Sequence, residues 1–185
     1  MSDNVLQTRR LDLRRIAEDD LDAHFAALNT PRVMERLGGP RSRAELAEKH
    51  VKTRTSYDCN GFGFMLAWER ETGDLVAHCG MKRVENPYAP NQGDHEIGWL
   101  VADNKWRQGF AEEAVRAIIA WAFGPIGAPH VVALTSEANV ASWRLMQKLG
   151  MERRPDLDFT DPTFPAEDSP TIQYSLTPTQ WERAR

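Results

Sequence analysis

At 185 residues, with 41% hydrophobic and 27% charged side chains, the chain has the size and composition of one soluble globular domain with a core to bury. A formal net charge of −4 supplies no broad basic field, which argues against nucleic acid as a partner. Met1-Ser2-Asp3-Asn4 does not lead a basic segment into an apolar run, so no signal peptide is expected. The longest apolar run, residues 117–123, falls far short of the ~20 residues that cross a bilayer. Cys59 and Cys79 lack metal or redox spacing and are expected to be reduced and buried in a cytoplasmic protein. His95-Glu96 is not followed by a second histidine at helical spacing, so no metal site is expected.

In chain order, residues 8–16 alternate Leu11 and Leu13 with Arg10, Asp12 and Arg14, the pattern of a half-buried strand. Glu18-Asp19-Asp20 sets carboxylates where a helix start is stabilised by them, and Leu21, Phe25 and Leu28 follow at helical spacing until Pro31. Ser42 is placed to cap a second helix through Leu46 and Val51. Residues 62–69 and 75–84 read as strands joined by the turn Glu71-Thr72-Gly73-Asp74, and residues 95–102 as a third strand. From Phe110 the period becomes helical, with Ala111, Ala114, Val115, Ile118, Ile119, Ala122 and Phe123 on one face and Gly124-Pro125 as the stop. Residues 130–135 form an apolar strand. Asn139 opens another helix with Val140, Trp143, Met146 and Leu149 inward and Gly150 at its end, and a proline-rich loop leads to a last strand at 171–176.

This order, β-α-α-β-β-β-α-β-α-β-β, places antiparallel hairpins before a β-α-β crossover. It predicts an α/β (α+β) fold with a mixed, mostly antiparallel sheet of about seven strands and helices on both faces. Neither repeat nor linker divides it, so residues 1–185 are expected to form a single domain. The order alone names no function.

Chemistry concentrates in Glu96-Ile97-Gly98-Trp99-Leu100-Val101-Ala102 and Trp106-Arg107-Gln108-Gly109-Phe110-Ala111-Glu112-Glu113-Ala114, a strand, a loop and a helix start. Small residues at a helix start let a ligand approach backbone amides that have no intrahelical partner. Those amides and the helix dipole suit a pyrophosphate, with Arg107 beside them. Glycine is equally common as plain punctuation in such loops, and the spacing is not that of the dinucleotide fingerprint.

The segment resembles the acetyl-CoA-binding motif of the GNAT acetyltransferases, Gln/Arg-x-x-Gly-x-Gly/Ala. Gly109 and Ala111 match it, while Trp106 holds the Gln/Arg position, as in the subgroup similar to ribosomal-protein alanine N-acetyltransferases. Asn139-Val140-Ala141-Ser142 with Leu145, Lys148, Leu149, Gly150 and Met151 resembles the element that closes the GNAT core. Residues 8–14 resemble the first strand of the subgroup, and Asp158-Phe159-Thr160-Asp161-Pro162 with Pro165 a tail segment of related bacterial proteins.

The resemblance implies a GNAT-type sheet and acetyl-CoA as cosubstrate, with no metal. It assigns acetyl-CoA binding to Leu100, Val101 and Ala102 through their backbone, to Arg107, Gln108, Gly109, Phe110 and Ala111 at the helix start, and to Asn139. The Leu100 amide is the implied donor to the thioester carbonyl. Glu96 aligns with the glutamate that acts as general base in several family members, others using water chains, and Ser142 with a Ser or Tyr position near the leaving sulfur, from which it could protonate the thiolate. In their bland readings Glu96 is a solvent-facing strand residue, Ser142 a capping residue and residues 100–102 a buried strand. His95 should point away from the Glu96 side of its strand. Trp99, Trp121 and Trp143 read as core, and Tyr88 and Trp106 as loop aromatics. A covalent route through a thiol is disfavoured because neither cysteine has an evident base.

The expected function is acetyl transfer to a primary amine by direct attack in a ternary complex, a protein N-terminus or a small molecule being the acceptor. A catalytically silent CoA-binding module is the alternative. Residues 37–60, 86–93 and 156–170 are expected to shape the acceptor site, and the protein to be a monomer or homodimer without nucleic-acid or membrane partners.

Overall fold

The computed structural model describes residues 4–184, and the chain divides there into two compact units. The first holds the described residues up to Lys82 together with Gly98–Ile118; the second holds Arg83–Ile97 and the described residues from Ile119 onward. In chain order the elements are β1 (Asn4–Gln7), β2 (Leu11–Arg15), α1 (Leu21–Leu28), α2 (Arg43–Asn60), β3 (Phe64–Glu69), β4 (Leu75–Arg83) and β5 (His95–Val101). They continue with α3 (Phe110–Phe123), β6 (Val131–Ser136), α4 (Val140–Lys148), β7 (Glu152–Arg153), β8 (Thr171–Leu176) and α5 (Pro178–Ala184). Eight strands among the described residues follow the order β1-β2-β3-β4-β5-β6-β8-β7, against about seven expected. Every pair with a given register is antiparallel except β5 with β6, the crossover that the helix between them predicts.

In the first unit, Leu11 and Leu13 of β2 are fully buried, as their alternation requires. The acidic run before α1 does more than serve the helix dipole. Asp20 is buried, chelates the Arg14 guanidinium at 2.6 and 2.7 Å and accepts the Ala17 amide at 2.7 Å. Ile16, Leu28, Leu66, Leu75 and Ala102 form a buried cluster against which Ala23, Ala27, Trp68 and Leu100 pack. Ser42 caps α2 as expected: its hydroxyl accepts the Glu45 amide while Glu45 accepts the Ser42 amide at 2.8 Å, a reciprocal box. Gly80 of β4 faces Phe64 of β3, and a Cβ there would stand 2.4 Å from the Gly63 carbonyl oxygen. That strand pair closes only over a residue without a side chain.

The inward faces of the first two helices differ from the expected ones. Phe25 is 36% exposed and Val51 54% exposed, whereas His24 of α1 and His50 of α2 are buried. Pairing explains the exchange: His24 Nδ1 lies 2.8 Å from His50 Nε2, which satisfies both rings inside the unit. His78 of β4 packs on His24 and Phe64, with ring centroids 4.8 and 5.0 Å apart. Cys79 is buried, and burial pushes its thiol up to about 12. Cys59 departs from expectation. It is exposed on the last turn of α2, because the same turn buries Tyr57 on the opposite side.

In the second unit, Val131, Val132 and Ala133 of β6 are fully buried, and β6 pairs with β8 over six residues. Gln173 of β8 is also fully buried. Its side chain exchanges two 3.0 Å hydrogen bonds with Asn91 and donates to the Leu157 carbonyl at 2.6 Å. Asn139 caps α4, where Met146 and Leu149 are buried as expected but Val140 is 40% exposed. The strand β1 and the helix α5 had no counterpart in the expected order, whose penultimate strand corresponds to β7. No helix among the described residues is long and apolar enough to cross a membrane.

The histidine cluster makes the first unit sensitive to acid. Burial, then the neighbouring His50, hold His24 at about 4 against an ordinary 6.5, with Asp20 pulling the other way. Burial and the Arg54 charge lower His50. Burial, the two other histidines and Lys49 lower His78. Between about pH 6.5 and 4 the unfolded chain therefore binds more protons than the folded one, and stability falls as pH falls through that window. For His24 alone the loss from pH 7 to 4.5 is on the order of 2–3 kcal/mol. Urea midpoints measured across this range should decline, and His24→Gln should flatten the decline.

Candidate functional site

The loop between β5 and α3 is built entirely in the first unit. The Ala102 amide bonds to the Val76 carbonyl at 2.9 Å, and a 3-10 turn, Asp103–Lys105, follows. Lys105 Nζ reaches Glu69 at 2.6 Å and Asp74 at 2.8 Å, which ties the turn to the β3–β4 hairpin. Trp106 Nε1 donates to the Val101 carbonyl at 2.8 Å, and the Arg32 guanidinium stands 4.9 Å over its ring. The side chain in the motif's Gln/Arg position thus fastens the loop to its own strand.

Residues 107–109 are exposed, and their backbone is unusual. Arg107 has φ 60°, the one positive value among the described non-glycine residues, and Gly109 has φ 81°. Left-handed residues flanking an ordinary one make successive backbone amides converge on a concavity that suits an anion. Phe110, 2% exposed, roots the helix in the core, and the first helical bond runs from Glu113 N to the Gly109 carbonyl at 3.1 Å. The amides ahead of it have no carbonyl behind them, and α3 directs the positive end of its dipole the same way. The arrangement fits a pyrophosphate on residues 107–111.

Leu100 is half-buried, whereas Val101 and Ala102 are buried. The Ala102 amide is turned to β4 by its bond to the Val76 carbonyl.

The second unit holds Glu96, Asn139 and Ser142. Glu96 is half-buried in β5 at the register position of Val132, and His95 beside it is buried with Arg83 Nη1 3.3 Å from its Nδ1. The structure brings Asn139 and Ser142 together: Asn139 Oδ1 accepts the Ser142 amide at 3.4 Å, and the Asn139 carbonyl accepts it at 3.1 Å. The cap therefore uses the Ser142 backbone, not its hydroxyl. Trp143 Nε1 donates to the Glu137 carbonyl at 3.1 Å and steadies the same turn.

The model of the acetyltransferase (GNAT) domain matches residues 10–152. The chain belongs to the GNAT acetyltransferase family. It is 30% identical over 149 residues to the uncharacterized protein YkkB of Bacillus subtilis, covering 79% of this chain and 84% of that one. The uncharacterized N-acetyltransferase YoaA of the same organism is 28% identical over 80% of this chain and 83% of its own length. The crystal structure of an acetyltransferase from Agrobacterium tumefaciens superposes with a TM-score of 0.76 at 26% identity, covering 92% of each chain. As a GNAT protein the chain is an acetyl-CoA-dependent acyltransferase.

Pattern reading gave no role to Thr8, Arg10 and Glu113 of this GNAT chain, where Arg10 reaches the Gln108 carbonyl of the loop and is held by Glu113, itself bound to Thr8. The available signal was the resemblance of residues 8–14 to the subgroup's first strand, which carried no role for them.

The two left-handed residues give opposite expectations. Gly109 has room for a side chain, with only Arg10 Nη2 at 3.5 Å from an added Cβ, so Gly109→Val acts through the backbone. It should raise the Kd for CoA about tenfold or more by re-aiming the loop amides. Arg107→Gly should raise stability by roughly 0.5–1 kcal/mol, because left-handed backbone then carries no penalty, while weakening CoA binding through the lost cation. Thermal melts and calorimetry on both variants check the pair.

Proposed function

We propose that this GNAT enzyme transfers the acetyl group of acetyl-CoA to a primary amine by direct attack in a ternary complex. The observation that carries the reading is the loop at 107–111, with its two left-handed residues and outward amides at the start of α3. We further propose that the whole chain acts as one domain in the cytoplasm. A protein N-terminus, the acceptor class of the resembled subgroup, is the acceptor we favour.

In that reaction the amine nitrogen bonds to the acetyl carbonyl carbon, the carbon–sulfur bond breaks, the nitrogen gives up a proton and the sulfur takes one. Glu96 is our candidate for accepting the amine proton directly or through one water, since an alkyl ammonium must be neutral to attack. Ser142 is our candidate for returning a proton to sulfur. Its hydroxyl takes no part in the α4 cap, which leaves it available for that task. Asn139 holds the turn, and by family resemblance its side chain also meets pantetheine. The Leu100 amide is our proposed donor to the acetyl carbonyl. A covalent route through Cys79 does not fit, because a buried thiol held near 12 is not a nucleophile at neutral pH.

Two of the segments proposed to shape the acceptor site are joined. Asn86 Nδ2 donates to Asp161 Oδ2 at 2.6 Å, and Phe159 packs on the buried cluster of Val84, Ala89 and Val132. Asp161 is held ionised by hydrogen bonds from Thr163 and Asn86.

A spectrophotometric screen of N-terminal peptides and small amines for CoA thiol release tests the function, and CoA binding without release from any acceptor would leave the silent module standing. With an acceptor in hand, Glu96→Gln should lower turnover by ~10²–10⁴-fold while keeping CoA affinity, the residual rate rising with pH. Near-normal turnover across pH would place the base elsewhere. Ser142→Ala should slow turnover roughly tenfold without loss of stability, because the cap survives in the alanine backbone. Equal rates in the two enzymes, with chemistry limiting, would remove Ser142 from the mechanism.

A further inference from the structure

We infer that Arg10, held by Glu113 and Thr8, is a positioning residue that aims the anion-binding amides of the 107–111 loop. The inference rests on the reading of that loop as the CoA pyrophosphate site. Arg10 Nη1 donates to the Gln108 carbonyl at 2.9 Å, and its guanidinium lies 4.1 Å from the centre of the Phe110 ring. A trans peptide unit is planar, with its carbonyl and its amide pointing in opposite directions. Holding the Gln108 carbonyl toward Arg10 therefore points the Gly109 amide away from Arg10, on the exposed side of the loop. The contact fixes the second of the two peptide planes between the left-handed residues.

Glu113 holds Arg10 in turn. Its Oε2 accepts Arg10 Nε at 2.6 Å, and its Oε1 accepts the Arg10 amide at 2.8 Å and the Thr8 hydroxyl at 2.7 Å. Burial raises the Glu113 carboxyl, but the bonds from Thr8 and Arg10 outweigh it and keep the group ionised. The Thr8 hydroxyl in turn accepts the Leu11 amide at 2.9 Å, so the β1–β2 hairpin itself carries the clamp. Glu113 neutralises the Arg10 charge locally, so Arg10 acts through the Gln108 carbonyl rather than as a free cation for the ligand. A carboxylate in the first turn of α3 would otherwise oppose an anion at that helix start, and the pairing removes this conflict.

A purely structural anchor would predict something different, and the ligand can separate the two. CoA carries the pyrophosphate; pantetheine carries the arm without it. Kd values for both are measured by calorimetry or ligand NMR on the wild type, Arg10→Met and Arg10→Lys, with melting temperatures alongside. The expected result is a rise of about tenfold or more in the Kd for CoA with Arg10→Met, and pantetheine binding within about twofold of wild type. Arg10→Lys should stay impaired, since a single ammonium cannot reproduce the guanidinium fork to Gln108 and Glu113 together, and it carries the test if the methionine variant does not fold. Unchanged CoA affinity in a folded variant, or equal weakening of CoA and pantetheine, would overturn the positioning role alone. Failure of the wild type to bind CoA would overturn the pyrophosphate assignment beneath it.

Discussion

Left-handed backbone at Arg107 is the constraint around which the first unit is organised, because a residue with a Cβ adopts it at a cost of roughly 1–2 kcal/mol. Such a conformation persists only where its surroundings over-determine it. Four anchors do so here: Lys105 bound to Glu69 and Asp74, Trp106 bound to the Val101 carbonyl, Phe110 sunk in the core, and Arg10 on the Gln108 carbonyl. They come from the β3–β4 hairpin, from β5, from α3 and from the β1–β2 hairpin. The sheet and the helix thus use side-chain contacts to hold a short stretch of main chain, the stretch we propose meets the anion.

The second unit places its chemistry differently. Asn139 satisfies the α4 start through its own side chain and carbonyl, so Ser142 keeps its hydroxyl out of the capping network. Glu96 sits on a strand whose opposite side buries His95. These are side chains carried on regular elements, which makes their direction a property of strand and helix periodicity rather than of loop geometry.

That difference explains what was legible in the sequence. Periodicity and capping residues located β2, α2, α3, β6 and α4, because each has an apolar stripe or a cap within a few residues of chain. The motif at 106–114 was likewise local. What escaped reading depended on partners far along the chain. Arg10 meets Gln108 and Glu113 across about a hundred residues, and no pattern at residue 10 shows it. His24 displaced Phe25 from the α1 interior because His50 was waiting 26 positions away. The edge strand β1 lacks an apolar alternation long enough to signal a strand.

The tryptophan at position 106 shows why main-chain recognition tolerates such a change in its own motif. If the Gln or Arg of the wider GNAT pattern met the ligand directly, an indole there would remove a donor from the site. In this protein the indole nitrogen instead bonds inward to Val101, and Arg32 covers the exposed ring. In the proposed pyrophosphate site the ligand is left to the amides of the helix start and to Arg107, and neither depends on the side chain at 106 beyond its grip on the loop. A position can then vary between Gln, Arg and Trp so long as its side chain offers an N–H to the carbonyl that closes the turn. By the same logic Gly109 and Ala111 are constrained by backbone geometry and by close approach, and Glu113, though outside the glycine pattern, is constrained by the arginine it must hold.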